Sequence, residues 1–149
     1  MDTVNFIRMD EGTPEEYRFL HKEEVKFTKK LPERIIDSII ELENSLPGYL
    51  ISRGEHSLQT ATRAEQDGAD IELIVGALIH DMGDDLAPAN HSQLAATIIR
   101  PYVREEVTWI VSMHGVIQMF YFGSKDFEGT DIGIDKSLRE NYRNHKWFE

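Results

Sequence analysis

The chain has 149 residues, no cysteine and a formal net charge of −11, which predicts one domain with a single hydrophobic core. The acidic balance argues against nucleic acid or an anionic membrane as the main partner, and no apolar stretch or N-terminal signal predicts insertion or secretion. Without cysteine, disulfides and thiolate metal sites are excluded, and a cytoplasmic location is expected.

Two helices are predicted before residue 50. Thr13-Pro14 followed by two glutamates is typical of a helix start, and this helix is expected to run to about Lys30. The isoleucines at residues 35–40 follow helical spacing and predict a second helix, which Pro47-Gly48 follows. Residues 1–50 are therefore interpreted as the N-terminal helices of the domain.

A third helix is predicted from about His56 to Gln66, and it opens with the sequence His-Ser-Leu-Gln-Thr-Ala. Gly68 lies just past its end, where glycine commonly follows a helix. The residues expected to face inward are apolar and share helical spacing: Leu58, Ala61 and Ala64.

A fourth helix carries the most informative dipeptide in the chain. Asp70 is expected to cap a helix that is almost wholly apolar and ends near Gly83. This helix would bring His80 and Asp81 into the interior of the protein. A buried carboxylate without a partner costs several kcal/mol, so Asp81 needs either a cation or a full set of hydrogen-bond donors.

Two further helices supply a histidine each. Asn90 is expected to cap a helix that starts at His91, and residues 104–114 predict an amphipathic helix ending at His114. Residues 116–122 either continue that helix or line a cavity beside it. Because no segment alternates with a period of two, the fold class is predicted to be all-α. Within one domain, residues 51–122 are interpreted as a metal-binding helical core and residues 123–149 as a loop and a short C-terminal helix.

Four histidines and one aspartate form a candidate metal site. Each histidine lies near the end of a predicted helix, so that side chains from different helices can converge on one point. Imidazole nitrogens with a carboxylate suit iron, manganese, zinc or cobalt. The candidate ligands are His56, His80, Asp81, His91 and His114.

With these residues in place, the chain resembles the HD-domain superfamily of metal-dependent enzymes, whose members carry a first His, a His-Asp pair and a later Asp on a helical bundle. The two additional histidines make it most similar to the oxygenase-like branch, which includes 2-amino-1-hydroxyethylphosphonate dioxygenase and, more distantly, myo-inositol oxygenase. The resemblance implies two metal ions, one held by His56, His80 and Asp81, and a second that shares Asp81 and is held by the other two histidines. Asp81 and Asp84 are the candidate catalytic carboxylates. Asp84, like Asp85, is expected either to orient a ligand imidazole or to have a capping or surface role.

Three positions depart from the family pattern. The family's last Asp ligand normally follows a further helix, so the chain is expected to be shortened at its C-terminus. Asp126, Asp131 and Asp135 are available substitutes, although their glycine-rich setting favours a solvated loop. Relatives often carry a basic residue where this chain has Asp84, and the phosphonate enzyme has one where this chain has Gln118. The loss of two cations argues against a phosphonate substrate.

Three functions remain open. The first is a dinuclear iron oxygenase that uses O2 to remove hydrogen from a C–H bond of a small polar substrate, with manganese, zinc or cobalt as alternatives to the two iron ions. The second is a metal-dependent phosphohydrolase acting on a nucleotide or phosphate ester. Such sites need cations beside the phosphate, and the nearest in sequence are Arg53, Arg63 and Arg100. The third is a non-catalytic, metal-stabilised binding module. The sequence leaves the substrate and the oligomeric state undetermined.

Overall fold

The computed structural model describes residues 2–122 and 145–147, with the side chains of residues 119–122 outside that description. Throughout these residues the regular structure is helical and contains no strand, which confirms the predicted all-α class. None of the described helices is both long and apolar enough to cross a membrane. The chain forms two compact units, Met1–Ser38 and Ile39–Glu149. The predicted division of one domain at residues 50 and 122 stays a prediction, and the predicted C-terminal loop and helix lie outside the described residues.

The first long helix, α1 (Pro14–Lys29), begins at the predicted position. The Thr13 hydroxyl accepts a hydrogen bond from the Glu16 N–H, and the Glu16 carboxylate accepts one from the Thr13 N–H at 2.9 Å. This reciprocal pair satisfies two backbone donors that a helix start leaves unpaired. The other Glu16 oxygen accepts from the Asn5 N–H at 2.8 Å. These hydrogen bonds to Asn5 and Thr13 lower the pKa of Glu16. A second helix, α2 (Leu31–Glu41), follows directly.

In the described part of the larger unit, four complete α-helices lie after α2: α3 (Arg53–Gln66), α4 (Ile71–Ile79), α5 (His91–Ile99) and α6 (Glu105–Phe122). Helix α3 packs on α4, α5 packs on α6, and α4 packs on α6, so that α4 and α6 join the two pairs. Buried aliphatic side chains fill the space between them, since the burial of apolar area drives this packing. The most deeply buried are Ile79, Ala95, Ile99, Val107 and Val111.

Helix α3 starts three residues before the predicted His56. The Ser52 hydroxyl accepts a hydrogen bond from the Glu55 N–H at 2.9 Å and thereby fixes the start. The prediction that Leu58 faces inward was wrong, because 55% of this residue is exposed, whereas the neighbouring Ser57 is fully buried. The helix does end as predicted: Gly68 has a φ of +78°, which glycine adopts readily.

The boundaries of α4 and α6 also differ from the prediction. Helix α4 ends at Ile79 instead of near Gly83, and residues 80–86 form successive turns. His80 and Asp81 therefore lie just past the helix. Helix α6 continues through Gly115 to Phe122, which places His114 within the helix and not at its end. Residues 116–122 therefore continue the helix, and Gln118 among them also lines the cavities described below.

Gly83 allows the turn after α4 to lie against the start of α5. A Cβ atom at this position would come within 2.7 Å of the His91 carbonyl oxygen and 2.8 Å of its Cα. Backbone atoms cannot move aside as the end of a flexible side chain can. The absence of a side chain at residue 83 is thus required for the close approach of Asp81 and His91.

We expect Gly83→Ala to destabilise the protein by about 1–3 kcal/mol, the usual cost of forcing an extra methyl group into a packed site. Gly115→Ala is the matched control, because a Cβ there would meet only Ser92 Oγ at 3.7 Å. Inside α6 the control should gain up to about 1 kcal/mol from the better helix propensity of alanine. Urea unfolding of both variants checks this, and equal stabilities would contradict the close approach.

Candidate metal centre

The five predicted ligands come together at one place in the larger unit. His56 lies in the first turn of α3, His91 is the first residue of α5, and His114 lies within α6. His80 and Asp81 follow the end of α4. Four separate elements therefore contribute to one cluster, in which Asp81 is 2% exposed. The roles of these residues as ligands stay predictions from the sequence.

Asp81 lies at the centre of the cluster, with one oxygen toward each pair of histidines. Its Oδ2 is 3.4 Å from His56 Nε2 and 2.9 Å from His80 Nε2. Its Oδ1 is 3.4 Å from His91 Nε2 and 3.2 Å from His114 Nε2. We refer to His56, His80 and Asp81 as the first triad, and to His91, His114 and Asp81 as the second triad. Each triad offers three ligand atoms that lie within 4.8 Å of one another.

Backbone carbonyls fix the ring orientations of two histidines on the side that faces away from the cluster. His80 Nδ1 lies 2.7 Å from the Ala77 carbonyl oxygen, and His114 Nδ1 lies 2.7 Å from the Val111 carbonyl oxygen. Since a carbonyl only accepts, Nδ1 carries the hydrogen in both rings. In the neutral imidazole, Nε2 then presents its lone pair to the cluster. Carbonyl acceptors of this kind hold the tautomer that a metal ligand needs.

The nitrogen atoms within each triad face one another at short range. His56 Nε2 and His80 Nε2 are 3.2 Å apart, and so are His91 Nε2 and His114 Nε2. Two neutral rings that both present lone pairs repel at this distance unless a proton or a cation lies between them. Ligands at right angles around a metal, with bonds of about 2.1 Å, lie about 3 Å apart. The separations in both triads match that value, so the residues fit two metal ions.

The charge of Asp81 is maintained despite its burial. Burial alone would raise the pKa of this carboxyl group, but hydrogen bonds from His114 and His80 and the charges of His80 and Arg53 hold the pKa well below its ordinary range. The pKa of His56 is lowered, chiefly because burial disfavours its charged form and the nearby His80 adds to this effect. A neutral imidazole beside a carboxylate is the state that binds a cation.

Of the three arginines that the sequence offers as cations beside a phosphate, Arg53 is the one that lies at the site. Its Nε donates to Asp84 Oδ2 at 2.7 Å, and its Nη2 contacts Asp81 Oδ2. Arg53 precedes His56 by three positions in α3, and residues at this spacing share a helix face. That spacing is the signal that could have identified it. Arg63 and Arg100, the other two candidates from sequence, are exposed and line neither of the cavities beside the cluster.

Two cavities adjoin the triads and share the side chains of His56, His114 and Gln118. The polar cavity, of about 470 Å³, is also lined by Tyr49, Arg53, Asp81, Asp84 and His91. The apolar cavity, of about 400 Å³, lies between α3, α4 and α6 and has mainly aliphatic walls such as Leu73 and Val111. Volumes of this size suit small molecules. The candidate metal centre is therefore reachable by a polar ligand.

Of the remaining residues that the sequence singles out, two lie at the cluster or its cavities and three lie outside the described residues. Asp84 lies at the cluster, and its Oδ1 is 3.3 Å from His91 Nδ1. Gln118 lines both cavities. The substitutes proposed for the last ligand, Asp126, Asp131 and Asp135, lie outside the described residues.

We expect Asp84→Ala to weaken the binding of a metal ion to the second triad by about 10- to 100-fold. This is the usual effect of removing a group that orients a ligand imidazole. The first ion should be affected less, because neither His56 nor His80 contacts Asp84. Metal titration followed by calorimetry measures both affinities. Asp85→Ala is the matched control, since Asp85 is exposed and accepts a hydrogen bond from Ser45 instead of a histidine. Equal losses in the two variants would rule out an orienting role.

Comparison with known proteins agrees with this geometry. The family model described as HD domain matches residues 53–128, which include both triads. The chain is 32% identical over 89 residues to a [1-hydroxy-2-(trimethylamino)ethyl]phosphonate dioxygenase (glycine-betaine-forming) from Leisingera caerulea. The match covers 52% of this chain and 45% of that relative, so the chain spans less than half of the relative's length. The chain therefore belongs to the HD domain family, and its similarity to a phosphonate dioxygenase lies within the oxygenase-like branch that the histidine series predicts.

Proposed function

We propose that this protein is a metal-dependent oxygenase with two iron ions, one in each triad, acting on a small polar molecule in the polar cavity. The observation that carries the proposal is the pair of triads: each consists of two imidazoles and one carboxylate, and they share Asp81. Two histidines with one carboxylate, leaving other coordination positions open, are the ligand set typical of non-haem iron oxygenases. The name of the dioxygenase relative supports the same reaction class.

The chain's own residues have distinct tasks in this function. Asp81, which belongs to both triads, would hold both cations and would offset their mutual repulsion. His80 and His114 keep their hydrogens on Nδ1, where backbone carbonyls accept them, so Nε2 remains available. Bound iron would supply the activation of O2 and of the substrate C–H bond, which no side chain of this site provides by itself. Asp84 orients His91 beside the polar cavity.

A phosphohydrolase is the second candidate, and the position of Arg53 favours it more than the sequence does. A guanidinium beside a metal pair is the arrangement that binds a phosphate group. Arg53 lines the polar cavity and contacts both Asp81 and Asp84. In this function the cations would lower the pKa of a water molecule for attack on phosphorus.

The test is metal analysis combined with two activity assays on the same protein, purified without oxygen. We expect about two irons per chain, and O2 uptake when small hydroxy acids or hydroxyphosphonates are added, with the relative's substrate among them. His80→Ala should abolish the uptake and reduce the metal content to about one ion per chain, whereas His21→Ala, at an exposed position, should change neither. Zinc or manganese with release of phosphate from nucleotides would establish the hydrolase instead. Full metal content in His80→Ala would contradict both enzymes and leave a binding module.

A further inference from the structure

The apolar cavity extends along three helices and ends at the triads. Its lining residues run from His56 to Asp67 along α3, and from Ala69 to His80 along α4 and its flanking residues. Since an α-helix rises about 1.5 Å per residue, this wall is roughly 16 Å long. His56 and His80 lie at one end of it, and Asp67 and Ala69 lie at the other. The cavity is therefore a long groove whose imidazoles are all at one end.

The width of the apolar cavity suits one hydrocarbon chain and excludes a helix. A volume of about 400 Å³ spread over roughly 16 Å gives a mean cross-section of about 25 Å². A helix with its side chains is about 10–12 Å across and needs several times that area. An extended covalent chain advances about 1.2 Å for each single bond, so up to about 12 carbons fill the length.

The middle of the apolar cavity favours hydrocarbon over polar groups. Aliphatic side chains form most of its wall away from the imidazoles: Leu73, Val107, Ile110 and Val111. Among the described lining residues between the imidazoles and Asp67, Thr60 is the one polar side chain. Its hydroxyl already donates to the His56 carbonyl oxygen at 2.8 Å. A polar group of a ligand placed here would lose its hydration and gain little in return.

A polar group finds partners at the end beside the triads. Gln118 lines both cavities, together with His56 and His114. Its amide can donate and accept hydrogen bonds. At the opposite end, the exposed carboxylate of Asp67 offers only an acceptor and repels an anion. A ligand with a single polar group is therefore best placed with that group at Gln118.

We infer that the apolar cavity is a binding site for an unbranched aliphatic chain of up to about 12 carbons, with one polar end at Gln118. This inference goes beyond the proposed function, because it concerns the second cavity and holds for any reaction at the metals. The ligand class is that of medium-chain alcohols and related aliphatic molecules with one polar end. Because the hydrocarbon supplies the attraction, binding strengthens with chain length until the groove is full.

The test is a chain-length series, measured by calorimetry on the full chain loaded with Fe(II) under argon. The ligands 1-butanol, 1-hexanol, 1-octanol and 1-decanol differ only in length. Because burial of each CH2 is favourable, we expect every added carbon to tighten binding about three- to fourfold. The diol 1,6-hexanediol should bind at least about tenfold more weakly than 1-hexanol, since its second hydroxyl falls in the apolar middle.

Two variants locate the bound chain. Ala64→Phe places a ring in the groove about two turns from His56 and should weaken 1-octanol at least about tenfold, with the metal content unchanged. Thr62→Phe is the matched control, because Thr62 is exposed on the same helix and lines neither cavity. Gln118→Leu should weaken every alcohol by about 2- to 10-fold through the loss of one hydrogen bond, without changing the gain per carbon.

An affinity that does not depend on chain length would overturn the inference, and so would equal binding of 1-hexanol and 1,6-hexanediol. These two comparisons need no variant, so they decide the inference even if Ala64→Phe does not fold. A folded Ala64→Phe protein that binds 1-octanol as tightly as the unmodified protein would place the chain elsewhere. Failure of every alcohol to bind would assign the groove to contacts within or between chains. An unaffected Gln118→Leu variant would overturn the assigned orientation. The full series in a protein that takes up no O2 would support the site and refute only the oxygenase.

Discussion

Asp81→Ala is expected to release both metal ions, which makes it the most damaging single substitution in the chain. Each oxygen of this carboxylate faces a different pair of imidazoles, so one substitution removes a ligand from both triads. It also removes the negative charge that offsets the repulsion between two cations. The loss of an outer group that only orients a ligand already weakens metal binding by about 10- to 100-fold, so each ion should bind more than about 100-fold more weakly.

Variants of single histidines test the shared role of Asp81 by removing a ligand from one triad at a time. His56→Ala leaves the second triad intact, and His91→Ala leaves the first triad intact, so each should retain about one ion per chain. Asp81→Asn keeps the shape of the side chain but not its charge, and should lie between these variants and Asp81→Ala. Metal content after gel filtration is the measurement, with circular dichroism to verify that each variant is folded. An Asp81→Ala protein that still holds two ions would refute the shared carboxylate.

The residues of the cluster could be predicted from the sequence because their chemistry is unusual in a helical interior. An apolar helix leading to His80 and Asp81 already indicates that a buried charge needs a partner. The histidines on other helices then supply that partner, and the structure brings all of them to Asp81. The local geometry was not predictable in the same way. The His80-Asp81 dipeptide lies after α4 and not within it. The helix ends at Ile79, and the residues that follow form hydrogen-bonded turns.

The face of α3 was predicted wrongly for a physical reason. Apolar character favours Leu58 as the inward residue, yet the helix turns Arg53 and His56 toward Asp81. Ser57 lies one turn after Arg53 and shares its face, whereas Leu58 is rotated by about 200° from His56. Ser57 is therefore buried while Leu58 is more than half exposed. The same phase brings Arg53 to the cluster. A polar ligand set can thus decide the orientation of a helix whose apolar residues are small and few.

Metal loading should raise the melting temperature strongly at neutral pH, and this gain should disappear in acid. A ligand present at about 1,000 times its dissociation constant stabilises the folded state by about 4 kcal/mol. For a chain of this length that corresponds to a rise of roughly 10 °C for each ion. Scanning calorimetry with Fe(II) or Mn(II), and again after a chelator, measures the difference.

The pH dependence follows from competition between protons and cations for the imidazole nitrogens. Burial and the neighbouring His80 lower the pKa of His56, so this ring is neutral in both folded and unfolded chains above its ordinary value of about 6.5. As the pH falls below that value, the unfolded chain takes up the proton first, and the folded protein loses stability even without metal. Asp81 remains ionised throughout, because its pKa is held well below its ordinary range.

The metal-dependent gain is therefore the melting temperature of the loaded protein minus that of the chelated protein, measured at each pH. It should be constant from about pH 8 to about pH 6.5 and should shrink at lower pH, where the pH reaches the lowered pKa of His56 and protons compete with the cation for this imidazole. His21→Ala serves as the control, since this exposed histidine belongs to neither triad. A melting-temperature gain that is equally large at pH 5 and pH 8 would mean that the bound cation does not depend on neutral imidazoles. The cation would then lie away from these four histidines.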